Sequence, residues 1–216
     1  MTVVFLILAA ILASDVQAKE SHLTILAIGD STTAGSPGFL SPLESPPAGS
    51  GNEQSQYGYW MTRRHPGWVV LNHGVMGQTS GKILKRFLRQ SRDTKADVVV
   101  VLAGVNDLYR VETADTVKAN LKKIYDAALA MPAKVVACTV LPYNRSTDEV
   151  KQAMSEVNGW IREYSRKRGL IFCDTFSVVS DPKNPGNLAG TPDGLHPDVE
   201  GYRKMGEAIA EVLEKS

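Results

Sequence analysis

The chain has 216 residues and a formal charge of +1, with 43% hydrophobic and 22% charged residues. That length supports one α/β domain with a sizeable core and is too short for two comfortable ones. The near balance of charge, without any basic run, argues against nucleic acid as a natural partner.

The first stretch, Val3 to Ala13, is apolar but shorter than the ~20 residues of a membrane-spanning helix. Val16 and Ala18 then put small residues at the positions a signal peptidase reads. Residues 1–18 are therefore expected to be a signal peptide cleaved before Lys19, leaving 19–216 as a single domain that is secreted or periplasmic and keeps no integral span. The segment lacks the usual positive side chain, and a buried amino-terminal strand or helix is the alternative.

Leu23 to Ile28 (LTILAI) is short and apolar enough to be a buried strand. Gly29-Asp30-Ser31-Thr32 follows it, which puts a serine at the carboxyl end of a strand, where open α/β sheets bind their ligands. The same four residues would also make an ordinary turn. Ser36 to Gln56, rich in Pro, Ser and Gly, has no apolar period and reads as a loop longer than the ~12–15 residues typical of compact domains. It is either a rim over a substrate pocket, with Phe39 and Leu40 touching an acyl chain or sugar face, or a mobile surface insertion.

Tyr57 to Arg64 reads as a short helix and Trp68 to Asn72 as the second strand. His73 has no carboxylate at a nearby spacing, so it reads as a hydrogen-bonded structural histidine rather than a base. His22 and His65 read as surface residues. Gln78 to Gln90 is expected to be a helix with Ile83, Leu84, Phe87 and Leu88 inward and its lysines and arginines outward. Ala96 to Ala103 is continuously apolar, the mark of a strand covered on both faces in a parallel sheet.

A helix over about Ala114 to Met131 repeats Val117, Leu121, Ile124 and Ala128 on one face, and Lys134 to Leu141 follows as the fourth strand. Ser146-Thr147-Asp148-Glu149 is a capping box opening a helix with Val150, Met154, Val157, Ile161 and Tyr164 inward, stopped by Gly169. Leu170 to Phe172 is the fifth strand, Ser177 to Asp193 is irregular, and a last helix from about Pro197 buries Tyr202, Met205, Ile209 and Val212. Cys138 and Cys173 fall on consecutive parallel strands, a poor geometry for bridging, which favours two buried thiols over a disulfide. Strand then helix, repeated about five times, gives an α/β fold, a three-layer α/β/α sandwich around a five-stranded parallel sheet.

Four blocks now stand in order at strand ends: Gly29-Asp30-Ser31-Thr32, Gly74-Val75-Met76-Gly77-Gln78-Thr79-Ser80, Gly104-Val105-Asn106-Asp107 and Asp193-Gly194-Leu195-His196-Pro197. Together they resemble the SGNH hydrolases, also called the GDSL family, whose four letters fall on Ser31, Gly77, Asn106 and His196. The resemblance runs from about residue 23 to about residue 210. Many members have Leu where this chain has Thr32. It implies a flavodoxin-like strand order 2-1-3-4-5. It also implies catalytic Ser31, Asp193 and His196, with oxyanion donors at the Ser31 and Gly77 amides and the Asn106 side chain.

That assignment makes chemical sense. A serine hydroxyl needs a base to become nucleophilic. Asp193, three residues before His196 on one turn, is placed to orient the imidazole. The expectation is an exported serine esterase acting on O-acyl esters of a carbohydrate, lipid or thioester kind, without metal or cofactor. The alternatives are a non-catalytic carbohydrate or ligand-binding module on the same fold, and a metal-dependent phosphoesterase using Asp30, Asp107, Asp193 and His196, a set poor in histidine for such sites. An acyltransferase is chemically close to the esterase. Oligomeric state is not legible.

Overall fold

Runs of β-branched and aliphatic residues, too short for stable helices, form five parallel strands in the computed structural model, which describes residues 22–90 and 94–216. The expected signal peptide lies outside the described residues. The strands are β1 (Leu23–Gly29), β2 (Trp68–Gly74), β3 (Val98–Leu102), β4 (Lys134–Cys138) and β5 (Ile171–Cys173). They lie in the order β2-β1-β3-β4-β5, the order the resemblance implies.

Side chains alternate across each strand, and here both faces are apolar, so the sheet has a core on each side. Ile25 and Ala27 of β1, with Val98, Val100 and Leu102 of β3, pack against α2 (Tyr57–Arg64) and α8 (Val199–Glu214) through Tyr57, Met61, Tyr202, Met205 and Ile209. Leu26 and Ile28, with Val99 and Val101, face α3 (Ser80–Gln90), α5 (Ala114–Leu129) and α6 (Asp148–Arg168), which contribute Ile83, Phe87, Leu121, Ile124, Val157 and Ile161. Five residues of β3 are buried in succession because each belongs to one core or the other.

Local chemistry sets the helix boundaries. The Thr147 hydroxyl, not that of Ser146, caps α6 by accepting from Val150 N, because Ser146 Oγ donates instead to the Tyr143 carbonyl. Gly169, at φ 68° in the left-handed region, ends that helix. α3 starts at Ser80 rather than Gln78, since the Asp107 carboxylate takes the Ser80 amide. α8 starts after Asp198, whose side chain accepts from Gly201 N, one residue beyond Pro197.

Register then delivers the site. Gly29 pairs with Gly74 of β2 and with Leu102 of β3, so three neighbouring strands end level with one another. The residues that follow them emerge at one edge. Gly29 has to be glycine there, because a Cβ would lie 2.1 Å from Thr33 Oγ1 and 2.4 Å from the Leu102 carbonyl oxygen.

The long segment after β1 is built rather than loose. Phe39–Leu40 pairs antiparallel with Ser50–Gly51, and a 3-10 turn follows at Glu53–Ser55. Phe39 is buried inside this segment, against Gly49, and is not offered to a substrate; Leu40 is partly exposed. The segment is also tied to the strand beside it. Ser41 Oγ donates to the Gly74 carbonyl at 2.6 Å, and the Glu44 carboxylate accepts from both Ser41 N and Met76 N. After β5 comes the short α7 (Thr175–Val179), and within the span 177–193 Ser180–Asp181 and Asn184–Leu188 form a second small ribbon. Cys138 and Cys173 face each other in register as two buried free thiols.

Candidate active site

Ser31 opens α1 (Ser31–Ala34), a single helical turn directly after β1. Asp30 shapes this turn: its Oδ1 accepts from Thr32 N at 3.0 Å and from Thr32 Oγ1 at 2.8 Å. Its Oδ2 is buried with no partner, and burial pushes the carboxyl up to about 6 despite both bonds from Thr32. Ser31 N–H lies in the first turn of α1, where an amide has no intrahelical acceptor.

At the other end of the chain, a turn folds back on its own carboxylate. Asp193 Oδ1 accepts from the amides of Leu195 at 2.9 Å and His196 at 2.8 Å. Thr191 Oγ1 accepts from Gly194 N, and Gly194 itself sits at φ 82°. The turn is fixed to the sheet side by Asn144, whose amide donates to the Gly194 carbonyl at 2.7 Å. Asp193 Oδ2 is left for the ring, 2.6 Å from His196 Nδ1, and His196 Nε2 is 2.9 Å from Ser31 Oγ.

The carboxylate can only accept, which assigns the proton to Nδ1 and leaves Nε2 as the acceptor for the serine hydroxyl. Burial alone would lift the Asp193 carboxyl; the bonds from the His196 ring and from the His196 and Leu195 amides outweigh it and hold the group below its ordinary range. His196 and Ser31 are buried, and 165 positions of sequence separate them. Such an arrangement can move a proton from a hydroxyl to an imidazole held in one tautomer.

Two further segments leave the same edge of the sheet, after β2 and after β3. Gly77 follows β2 at φ 69°, a conformation that favours glycine, and its carbonyl accepts from Arg110 Nη2 at 2.9 Å. No described residue accepts a hydrogen bond from its amide. Asn106 lies in α4 (Val105–Tyr109), after β3. It does not bond its own turn: Nδ2 donates to the Gln78 carbonyl at 3.1 Å, which spends one of its two hydrogens and fixes the direction of the other.

The remaining sequence candidates have structural roles. Asp107 gives both carboxylate oxygens to Ser80, at 2.7 Å to the amide and 2.6 Å to the hydroxyl, and burial lifts its pKa. Among the described residues no three His, Cys, Asp or Glu side chains converge in a geometry for a metal ion. His73 is not the hydrogen-bonded histidine expected: its Nδ1 is buried without a partner, and burial, then the nearby Arg86, hold the imidazole below its usual range. His22 is exposed beside the Gly67 carbonyl, whereas His65 is half-buried, stacked on Trp68 and bonded to Glu214.

Sequence reasoning missed Arg86. Expected on the outer face of α3, it is 7% exposed and directed inward, three residues after Ile83 and beside Phe87. That spacing was the available signal, since positions 83, 86 and 87 share one face. A cavity of about 930 Å³ between Phe87, Leu88, Met131 and Pro132 lies at the opposite, amino-terminal edge of the sheet, beside Thr24 and Asp97, away from Ser31.

The family model for the GDSL-like lipase/acylhydrolase family matches residues 27–204. Among solved structures, a member of the lipolytic protein G-D-S-L family from Veillonella parvula is 17% identical at a TM-score of 0.74, over 89% of this chain and 99% of that one. A GDSL-like lipase from Bacteroides thetaiotaomicron is 24% identical at 0.67, over 90% and 89%. An acetylxylan esterase from Geobacillus stearothermophilus is 20% identical at 0.71, over 89% and 94%. No curated protein matches the chain.

Proposed function

This chain belongs to the GDSL-like lipase/acylhydrolase family and is a hydrolase of esters, and from that premise we propose that it works through an acyl-enzyme on Ser31. The observation that carries the reading is the continuous chain Ser31 Oγ, His196 Nε2, His196 Nδ1, Asp193 Oδ2, at 2.9 Å and 2.6 Å. His196 takes the hydroxyl proton as Oγ attacks the acyl carbon, then returns it to the departing alcohol. Water, deprotonated by the same imidazole, releases the acid and restores the serine. Asp193 stays ionised throughout and stabilises the imidazolium.

Negative charge gathers on the carbonyl oxygen in both tetrahedral states. The Ser31 and Gly77 amides and the free Asn106 hydrogen are its donors. One site residue follows each of β1, β2 and β3, whose common end level supports their convergence on one oxygen.

For the substrate we propose an O-acetyl or other short O-acyl group on a carbohydrate. Likeness to an acetylxylan esterase supports this class. So does the exposed Tyr109, three residues after a proposed donor, whose aromatic ring offers a flat apolar surface to a sugar face. No helix among the described residues is long and apolar enough to cross a membrane. Export is proposed from residues 1–18 of the sequence, and a mature chain beginning at Lys19 by mass spectrometry is the expected result; active exported protein retaining Met1 would count against it.

The decisive experiment pairs fluorophosphonate labelling with a hydrolysis panel of acetylated sugars and nitrophenyl esters of rising chain length. Stoichiometric labelling at Ser31, lost in Ser31→Ala, and a preference for acetyl are expected. Unlabelled protein that still hydrolyses esters would overturn the serine mechanism, and a preference for long chains would overturn the substrate class.

A further inference from the structure

Arg86 is a buried guanidinium without a carboxylate within ion-pairing distance among the described residues. Burying such a charge is costly unless its hydrogen-bond donors are well used. A leucine or methionine in this position of α3 would pack beside Ile83 and Phe87 without that cost. The use of the charge has therefore to be sought in what it binds.

Its three bonds all run to the edge that carries the site, and none to the core of the helix layer. Nη2 donates to the Gly29 carbonyl, two residues before Ser31, at 2.9 Å. Nη1 donates to the His73 carbonyl, next to Gly74 at the end of β2, also at 2.9 Å. Nε donates to the side-chain oxygen of Gln78, next to Gly77, again at 2.9 Å. Gln78 in turn offers its main-chain carbonyl to Asn106 Nδ2. One rigid fork thus reaches, at one or two removes, the segments that present Ser31 N, Gly77 N and Asn106 Nδ2.

We propose that Arg86 is a positioning residue for the oxyanion donors, fixing the ends of β1 and β2 and the Gln78 peptide relative to one another. This rests on the acyl-serine reading above. Burial holds the guanidinium below its ordinary range while the charges of Asp30 and Glu44 pull the other way, consistent with a cation that lacks a close counter-ion. Arg86 does not touch substrate in this account. Its effect is on geometry that matters once the carbonyl oxygen has become an oxyanion, so its loss acts on kcat and leaves KM nearly alone.

The test compares Arg86→Met, Arg86→Lys and Gln78→Met with wild type. Rates are expressed per active site titrated by fluorophosphonate, and melting is followed separately. Arg86→Met should lose roughly 10² in kcat, the scale of a misplaced catalytic constellation, with KM within a few fold. Arg86→Lys should fall between it and wild type, because a point charge cannot make three fixed bonds. Gln78→Met removes only the Nε acceptor and should lose roughly three- to tenfold in kcat without a change in melting temperature. In a double-mutant cycle, Arg86→Lys with Asn106→Ala should cost less than the product of the single losses.

If Arg86→Lys and Gln78→Met keep wild-type kcat per site, or the cycle is additive, the inference is overturned, whatever happens to melting. If neither arginine variant folds, Gln78→Met and its cycle with Asn106→Ala decide alone. Wild-type protein that fails to label at Ser31 would overturn the acyl-serine reading and this inference with it; normal labelling with unchanged per-site rates would overturn only the inference.

Discussion

Replacing Asp30 by asparagine should change how stability depends on pH, with a sign opposite to that of most carboxylates. The side chain is fully buried, Oδ2 has no partner, and the carboxyl is raised from 3.8 to about 6. At about 1.36 kcal/mol per pH unit, the displacement is worth about 3 kcal/mol. Well below pH 3.8 the group is neutral in folded and unfolded chains alike and costs nothing. As pH rises toward about 6 the unfolded chain ionises first, so the folded state loses ground, and above about 7 the loss is complete. Asp30→Asn keeps an oxygen for Thr32 N and Oγ1 and adds a buried donor at the Oδ2 position, an offset that does not vary with pH. Urea unfolding of both proteins, followed by tryptophan fluorescence at pH steps from about 3.5 to 8, isolates the effect. The stability of wild type relative to the variant should fall by about 3 kcal/mol across the range from about pH 3.5 to 8, with little change above about pH 7. A difference constant within about 0.5 kcal/mol across the range would refute the reasoning, because Asp30 would then ionise as easily folded as unfolded.

Asn106→Ala should lose roughly 10² to 10³ in kcat with KM within a few fold, and should still label slowly at Ser31; early melting with a normal rate per folded molecule would make the residue structural. Asp193→Asn should fold normally, since the carboxylate is partly exposed, yet lose up to about 10⁴ in kcat. Restoration of its activity by a divalent metal would favour the phosphoesterase alternative. Cys138 and Cys173 should both resist a thiol reagent in the folded protein, the bond to Cys173 and then burial holding the Cys138 thiol high. Two thiols per chain should react once it is denatured. Reaction of none after denaturation would mean a disulfide.

How far the sequence could be read followed the range of the interactions involved. Val98 to Leu102 needed no partner to be recognised, because an unbroken apolar run is covered on both faces wherever its neighbours lie. The cap of α6 was misread by one position because Ser146 and Thr147 are equivalent as local acceptors. A contact just outside the capping pattern decides between them, the bond from Ser146 Oγ to the Tyr143 carbonyl three residues back. Ser31, Asp193 and His196 were legible as residues through the family pattern, and Asp193 with His196 through their spacing. Their convergence depends on where β1 ends and on the Asn144 anchor of the turn before His196, neither of which is periodic in the chain. Arg86 shows the limit most clearly. A charged residue on a charged helix reads as solvated unless its face is compared with that of its apolar neighbours, and its three acceptors are contributed by three separate segments.

The segment between α1 and α2 divides its residues between two jobs that a designer or a lineage could vary independently. Ser41 is fully buried and, with Glu44, clamps Gly74 and Met76, so substitutions there would be read out as altered turnover. Leu40 and Leu43, one and two positions from Ser41, are 39% and 38% exposed and hold none of these bonds. A library randomised at Leu40 and Leu43 would change the face shown to solvent while the strut beneath stays in place. One inserted residue between Ser41 and Glu44 would do the reverse, leaving the surface chemistry intact and shifting the amide neighbouring Gly77. Tolerance in this stretch is therefore set residue by residue and not by its loop-like composition.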